Sequence, residues 1–315
     1  MRIIILAAIL VTPLAAVSRD ATGTPSGGLA FRDETGRLVL MNNGQQIGDF
    51  VFQDTKILRP YLANLRAPDG TLLTRTHPPV PGVDPTDHDM MHPGVWLGFG
   101  DISGHDFWRN KGRIVHRKFV SPPAIKDRTL NFTTDSDVIT AEGETLAQMM
   151  NTITLKPQKD AWRLTWGATF VPVIDGFYFG DQEESGLAIR TSAPLRVDTG
   201  NGAILNDSGD RDGKQVRGKF ARWFDYYGTV DNRHLGIMVA GNPRNPKTSW
   251  LHARDYGLVA TNPFPMQPKE RREPYVKTWV KKGQPFALSW CVLIHDTTEP
   301  IDRDAVYQRM LKGLK

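Results

Sequence analysis

Residues 85–108 hold three imidazoles (His88, His92, His105), four carboxylates (Asp87, Asp89, Asp101, Asp106) and two indoles (Trp96, Trp108) within 24 positions. Histidine titrates nearest to neutrality, so such a run can supply a general acid, a general base or a metal ligand. Pro93-Gly94, Gly98, Gly100 and Gly104 interrupt the run and suit a loop that carries polar tips above a packed base. His88 and His92 have the four-residue spacing of two zinc ligands on a helix, but Pro93-Gly94 argues against a helix there.

A second source of carboxylates is residues 180–190, Gly-Asp-Gln-Glu-Glu-Ser-Gly-Leu-Ala-Ile-Arg. Neighbouring side chains on a strand point to opposite faces, so one of Glu183 and Glu184 is expected to face a site and the other to meet solvent or Arg190. A third group comprises residues 222–227 with Trp223 and Asp225, residues 250–257 with His252, Arg254 and Asp255, and Asn262-Pro263-Phe264. Aromatic rings beside Asp, Arg, His and Asn match what a sugar needs, a flat apolar face to stack on and directional partners for its hydroxyls. Trp223 and Trp250 have an equal claim on the core.

Other chemistries lack their motifs. No Walker loop, no glycine fingerprint after a strand, no Gly-x-Ser-x-Gly and no cysteine-based metal motif occurs, which leaves nucleotide and flavin chemistry without support. The net charge of +5 is dispersed, and the densest basic clusters, Lys269–Arg272 and Lys281-Lys282, are broken by acids or glycine, so nucleic acid is not an expected partner. Cys291 is alone in an apolar alternation, which predicts a buried thiol and no intrachain disulfide.

The elements that must position these residues begin after an export signal. Arg2, the apolar run 3–14 and the small residues Ala16-Val17-Ser18 read as a signal peptide over residues 1–18, followed by a flexible linker over 19–28. The apolar run has roughly 12 residues where a membrane span needs roughly 20, and no later stretch replaces it. A secreted or periplasmic protein is expected, with no membrane insertion after cleavage. Residues 29–315 then read as a single domain of short strands: 31–41 around a Glu-Thr-Gly turn, 57–65, 114–120, 130–134, 138–144, 149–156, 162–172, 187–197, 220–227, 234–240, 257–262, 275–280 and 286–295. Helical periodicity is confined to the segment opened by Pro300, with Ile301, Ala305, Val306, Met310 and Leu311 on one face. The fold class predicted is all-β, a large antiparallel two-sheet β-sandwich with one C-terminal helix.

Several blocks together resemble a bacterial family of unknown function, numbered 6807 among domains of unknown function and also filed as "methane oxygenase PmoA". Its members carry Asp-His-Pro-His-x-x-Gly-x-Trp followed by Asn-Gly-x-Asp-Phe-Trp. The corresponding stretches here are Asp87-His88-Asp89-Met90-Met91-His92-Pro93-Gly94-Val95-Trp96 and Ser103-Gly104-His105-Asp106-Phe107-Trp108, with two methionines between the histidines. The likeness continues through Arg59-Pro60-Tyr61, Glu183-Glu184, residues 221–226, Arg254-Asp255-Tyr256-Gly257 and Asn262-Pro263-Phe264. It implies a galactose mutarotase-like supersandwich and a place among sugar-processing proteins, which is analogy of fold and not of function.

On these grounds the expected activity is that of a carbohydrate-active epimerase, lyase or hydrolase acting on a sugar or keto-glycoside. His88, His92 or His105 would act as acid and Glu183 or Glu184 as base. Arg59, Tyr61, Trp96, Asp106, Arg190, Trp223, Asp225, His252, Arg254, Asp255 and Asn262 are the candidate substrate-binding residues. A divalent metal held by His88, His92 and Glu183 is an alternative way to polarise a keto group. A non-catalytic glycan-binding protein is the second reading, and the copper-dependent oxygenase that the family label implies is the third.

Overall fold

The computed structural model describes residues 28–264 and 275–314. The residues read as a signal peptide, most of those read as a linker and the Lys269–Arg272 cluster lie outside the described residues. One antiparallel sheet has nine strands in the spatial order β1 (Leu29–Glu34), β2 (Arg37–Asn42), β3 (Gln45–Val51), β4 (Tyr61–Ala63), β5 (Val95–Phe99), β11 (Ser185–Arg190), β17 (Leu258–Asn262), β16 (Ser249–Arg254) and β13 (Phe220–Ala221). The other has eight: β12 (Gly202–Asn206), β14 (Trp223–Val230), β15 (Arg233–Gly241), β19 (Phe286–Thr297), β9 (Ala161–Pro172), β8 (Thr145–Gln158), β7 (Thr129–Ile139) and β6 (Arg113–Lys126). A separate two-stranded pair joins β10 (Gly176–Gly180) to β18 (Lys277–Lys281).

The two large sheets share one apolar core. Phe50 of the first sheet lies 4.9 Å from the ring of Phe132 and 5.8 Å from Trp166 of the second, and Phe99 meets Phe170 at 5.6 Å. Strict alternation of buried and half-buried residues along β8 and β9 gives these strands one core face and one outer face. This is the predicted two-sheet sandwich.

The outer face of the eight-stranded sheet is covered near β14, β15 and β19 by α2 (Arg303–Leu311), whose Val306, Tyr307 and Met310 pack on Trp223, Met238, Ala240, Cys291 and Leu293. Asp302 caps this helix by accepting from the Ala305 N–H. A short second helix, α1 (Asp212–Val216), departs from the expectation of one.

Strand boundaries differ where burial hides the alternation. The piece read at 130–134 runs on through a buried Asp135-Ser136 step to Ile139 as one strand, β7, whereas residues 140–144 of the piece read at 138–144 form the turn into β8. β5, β16 and β17 are buried almost throughout, so their sequences lack the period of two that marks a half-exposed strand. Cys291 is fully buried in the helix-covered cluster, and burial pushes its thiol up to about 12. It should resist a disulfide thiol reagent in the native protein and react stoichiometrically in denaturant; rapid native labelling would contradict this burial.

Candidate functional site

Register places one line of outward side chains across the nine-stranded sheet: Tyr61 on β4, Trp96 on β5, Ala188 on β11, Ala260 on β17 and His252 on β16. A parallel line carries Arg190, Leu258 and Arg254. Above β4 and β5 this face is covered by the histidine-bearing loop. Gly94 permits the covering, because its φ of +149° suits glycine and a Cβ there would stand 2.3 Å from the Leu62 carbonyl oxygen.

Two fully buried arginines shape the loop. Arg75 donates to the carbonyls of Pro85, Asp87, His88 and His92, at 2.8 Å for the last. Arg59 donates to the carbonyls of Met91, Phe107 and Trp108 and to Asn110 Oδ1. Burial without a directly bonded carboxylate brings Arg59 down to about 9, and burial together with the neighbouring Arg190 brings Arg75 down to about 10.

His92 is buried within a stack. Its ring lies 5.1 Å from Trp96 and 5.0 Å from His88, which continues to Tyr256 at 6.2 Å. Arg190 Nη1 stands 3.3 Å from His92 Nδ1. A guanidinium only donates, so Nδ1 is the acceptor and the neutral ring carries its proton on Nε2. Burial, then the charges around it, Arg190 first and with His88, Arg75 and Arg59 beside it, hold His92 well below its ordinary value of 6.5.

A depressed histidine contributes stability that is complete above the unfolded value and is lost as pH falls through the folded one. The His92 ring signals should therefore titrate well below pH 6.5 by NMR, and the urea midpoint should fall as pH is lowered from about 6.5. A His92 midpoint at or above 6.5 would contradict the assignment.

Asp87 and His88 form the most chemically defined pair. Asp87 Oδ2 lies 2.6 Å from His88 Nδ1, while Asp87 Oδ1 accepts from Arg190 Nη2 at 2.9 Å. Against the opposing effect of burial, His88, Arg190 and Arg75 hold the Asp87 carboxyl at about 2. An ionised carboxylate only accepts, so His88 Nδ1 donates to Asp87 and Nε2 is the ring nitrogen left without a partner in this pair. The His88 side chain is 44% exposed and its backbone has φ 52°, a left-handed conformation that over-determined sites retain.

Across the small residues Ala188 and Ala260 lies a second charged group. Glu183 Oε2 stands 2.7 Å from Arg217 Nη2 and 3.2 Å from His252 Nδ1, and Glu183 Oε1 is 3.5 Å from Arg254 Nη2. His252 first, then Arg217, hold Glu183 at about 2 against burial. Glu184 pairs with Arg109, which also binds Asp106 at 3.0 Å. Tyr256 links the two halves: its ring lies under Arg190, whose Cζ is 4.5 Å away, and its hydroxyl feels Arg190, Arg254, Asp87 and Glu184. Burial raises this phenol further, so it remains a neutral donor.

Residues 37–309 match one family along most of the sequence. The chain belongs to the family of unknown function DUF6807. The DUF6807 description names no activity, so the methane-oxygenase label stays with the resemblance alone. No curated protein matches the sequence. Similar solved structures include the GH36 alpha-galactosidase from Geobacillus stearothermophilus, at 12% identity and a TM-score of 0.39, covering 86% of this chain and 41% of that one. A galactose mutarotase-like protein from Lactobacillus casei covers 85% of this chain and 100% of its own at 10% identity and a TM-score of 0.35. Another from Clostridium acetobutylicum covers 86% and 99% at 10% identity and 0.35. This chain thus spans about two fifths of the alpha-galactosidase's length.

Within this DUF6807 chain the sequence-predicted residues separate into three sets. His88, His92, Arg190, His252, Arg254, Glu183 and Glu184 belong to the two charged groups described above. Glu183 and Glu184 both pair with arginines, and neither takes Arg190, whose partner is Asp87.

Arg59, Tyr61, Trp96, Asp106, Asp255 and Asn262 hold structure. Tyr61 bonds Asp54; Trp96 is fully covered by His92 and Trp108; Asp106 accepts from the Arg109 N–H. Asp255 accepts from the Gly213 N–H at 2.6 Å, and Asn262 straps the acidic turn by donating to the Gln182 carbonyl at 2.6 Å.

The third set lies elsewhere. His105 Nδ1 is 3.3 Å from Glu142 on the β7–β8 turn. Trp223 and Asp225 sit on the other sheet beneath α2, where Asp225 binds His295 and Arg303. Among the described residues no group of three or more His, Cys, Asp or Glu is arranged to hold a metal ion. His88, His92 and Glu183 form no such group. Arg75, Arg109 and Arg217 were missed, each standing alone in its sequence segment without a pattern to mark it, and Tyr256 lay in the Arg254-Asp255-Tyr256-Gly257 block without being singled out.

Proposed function

We propose that this protein is a carbohydrate-active enzyme in which His88 transfers the proton. The observation that carries the reading is the Asp87–His88 pair, anchored by Arg190, which fixes Nδ1 as the donor to Asp87 and leaves Nε2 as the nitrogen that can exchange a proton with a ligand. An imidazole so oriented can remove a proton from a hydroxyl or from a carbon beside a carbonyl and return it to a leaving oxygen. Glu183, held ionised by His252 and Arg217, and Glu184, paired with Arg109, fit the orientation of sugar hydroxyls better than proton transfer. Neutral Tyr256 offers a donor beside them.

Incubation with a panel of neutral sugars, glycosides and 3-keto-glycosides, with and without chelator, followed by NMR, tests the reading. Turnover that persists in chelator supports it. Binding without turnover favours the non-catalytic glycan-binding alternative, and copper retained stoichiometrically by purified protein favours the oxygenase one. Export is proposed on the leader-like residues 1–18, and the secreted protein should begin at Arg19 on N-terminal sequencing; an intact Met1 terminus would remove that proposal.

A further inference from the structure

The outer face of the nine-stranded sheet carries a cleft beyond the histidine-bearing loop. Beyond Tyr61, register continues the line of outward residues through Val51 on β3 to Arg37 on β2, and the neighbouring line through Ala63 to Asp49. A cleft of about 1020 Å³ lies over these residues. Its far wall is the same loop that holds the candidate site: Asp87 and His88 belong to the charged group, while Asp89 and Met90 line the cleft. The loop thus stands between the charged group and the cleft on one surface.

The lining combines an apolar floor with hydrogen-bonding walls. Val51, Ala63 and Met90 supply apolar surface, and Met90 is 47% exposed. Tyr61 and His77 meet edge to face at 5.1 Å, and the buried His77 Nδ1 has no partner. Asp33, Glu34, Asp49, Asp54 and Asp89 contribute five carboxylates. Arg37 and Lys56 are the opposing cations that line the cleft. These acids are spread along the walls, and among the described residues none forms a three-ligand group for a metal ion. An excess of carboxylates disfavours an anionic ligand, whereas carboxylates accept strongly from hydroxyls. Apolar floor and dispersed acceptors are the complement of a neutral pyranose.

We propose that this cleft is a second sugar subsite, so that the ligand is a neutral oligosaccharide laid across the histidine loop. The inference rests on the sugar reading of the His88 site, and the two can fail separately. The experiment titrates the full mature chain with neutral gluco- and galacto-oligosaccharides of one to four units, following the Met90 methyl and the His77 and His88 ring signals by NMR. The Met90 signal is assigned with Met90→Leu.

Monosaccharides should move His88 alone. Tetrasaccharides should move His88, Met90 and His77 together and bind at least about tenfold more tightly, since the second contact becomes intramolecular. If every length that moves His88 leaves Met90 and His77 still, the subsite is refuted and the His88 reading stands. No movement at either place across the panel overturns both. An oligogalacturonate that moves Met90 at lower concentration than the neutral series overturns the neutral class.

Discussion

His88→Gln should lower kcat on the sugar substrate by roughly 10²–10⁴-fold, the usual contribution of a positioned acid–base group. Glutamine keeps a polar side chain on an exposed loop position, so the unfolding free energy from urea titration should stay within about 0.5 kcal/mol of wild type. Asp87→Asn tests the tautomer argument separately. It removes the ionised acceptor of the His88 proton and weakens the Arg190 contact, so kcat should fall while KM changes little. A His88→Gln protein that turns over substrate within about threefold of wild type would remove His88 from the chemistry.

Asp225→Ala should have the largest effect on stability. Asp225 has no exposed surface; its two oxygens take His295 Nε2 at 3.0 Å and Arg303 Nε at 2.8 Å, and Arg303 also lies over the Tyr227 ring. Removing the carboxylate leaves the partly buried Arg303 cation without its counterion and the buried His295 without its partner, a change that approaches the cost of breaking a buried pair, about 3–5 kcal/mol. Arg303→Met in the same background should cost less than the sum of the single changes, because the group it would disrupt is already broken.

The sign of the pH dependence follows from the carboxyl being held below its ordinary 3.8, chiefly by His295 and Arg303 against strong burial. Its stabilisation is complete above about pH 4 and is lost as pH falls through the folded value. Urea unfolding at pH 7 and at pH 3 should show the wild-type and Asp225→Ala midpoints converging at the lower pH. Midpoints equally far apart at both values would contradict the ion-pair account.

The β character of the chain was legible because β8, β9 and β15 alternate or run apolar between clear turns. β5 was not, since a strand buried on both sides inside a glycine-rich segment looks like the loop that surrounds it. The sequence pointed to His88 and His92 by residue type. It did not distinguish their roles, which depend on Arg190 arriving from β11 and on stacking against Trp96. Asp225 and Trp223 were assigned to the same surface as His252 because strand alternation says which residues share a face of one strand. Which of two sheets receives that strand is decided by long-range pairing. Arg59 and Tyr61, on either side of Pro60 in one motif, part company in the fold: Arg59 bonds the loop carbonyls and Tyr61 bonds Asp54 at the edge of the cleft.

Arg75 and Arg59 together fix the carbonyls of a loop that has little regular secondary structure of its own. The conformational entropy of that segment is therefore surrendered when the chain folds, before any ligand arrives. A ligand meeting such a surface has little left to order, so its binding entropy and heat-capacity change should reflect surface removed from water and not a disorder-to-order transition.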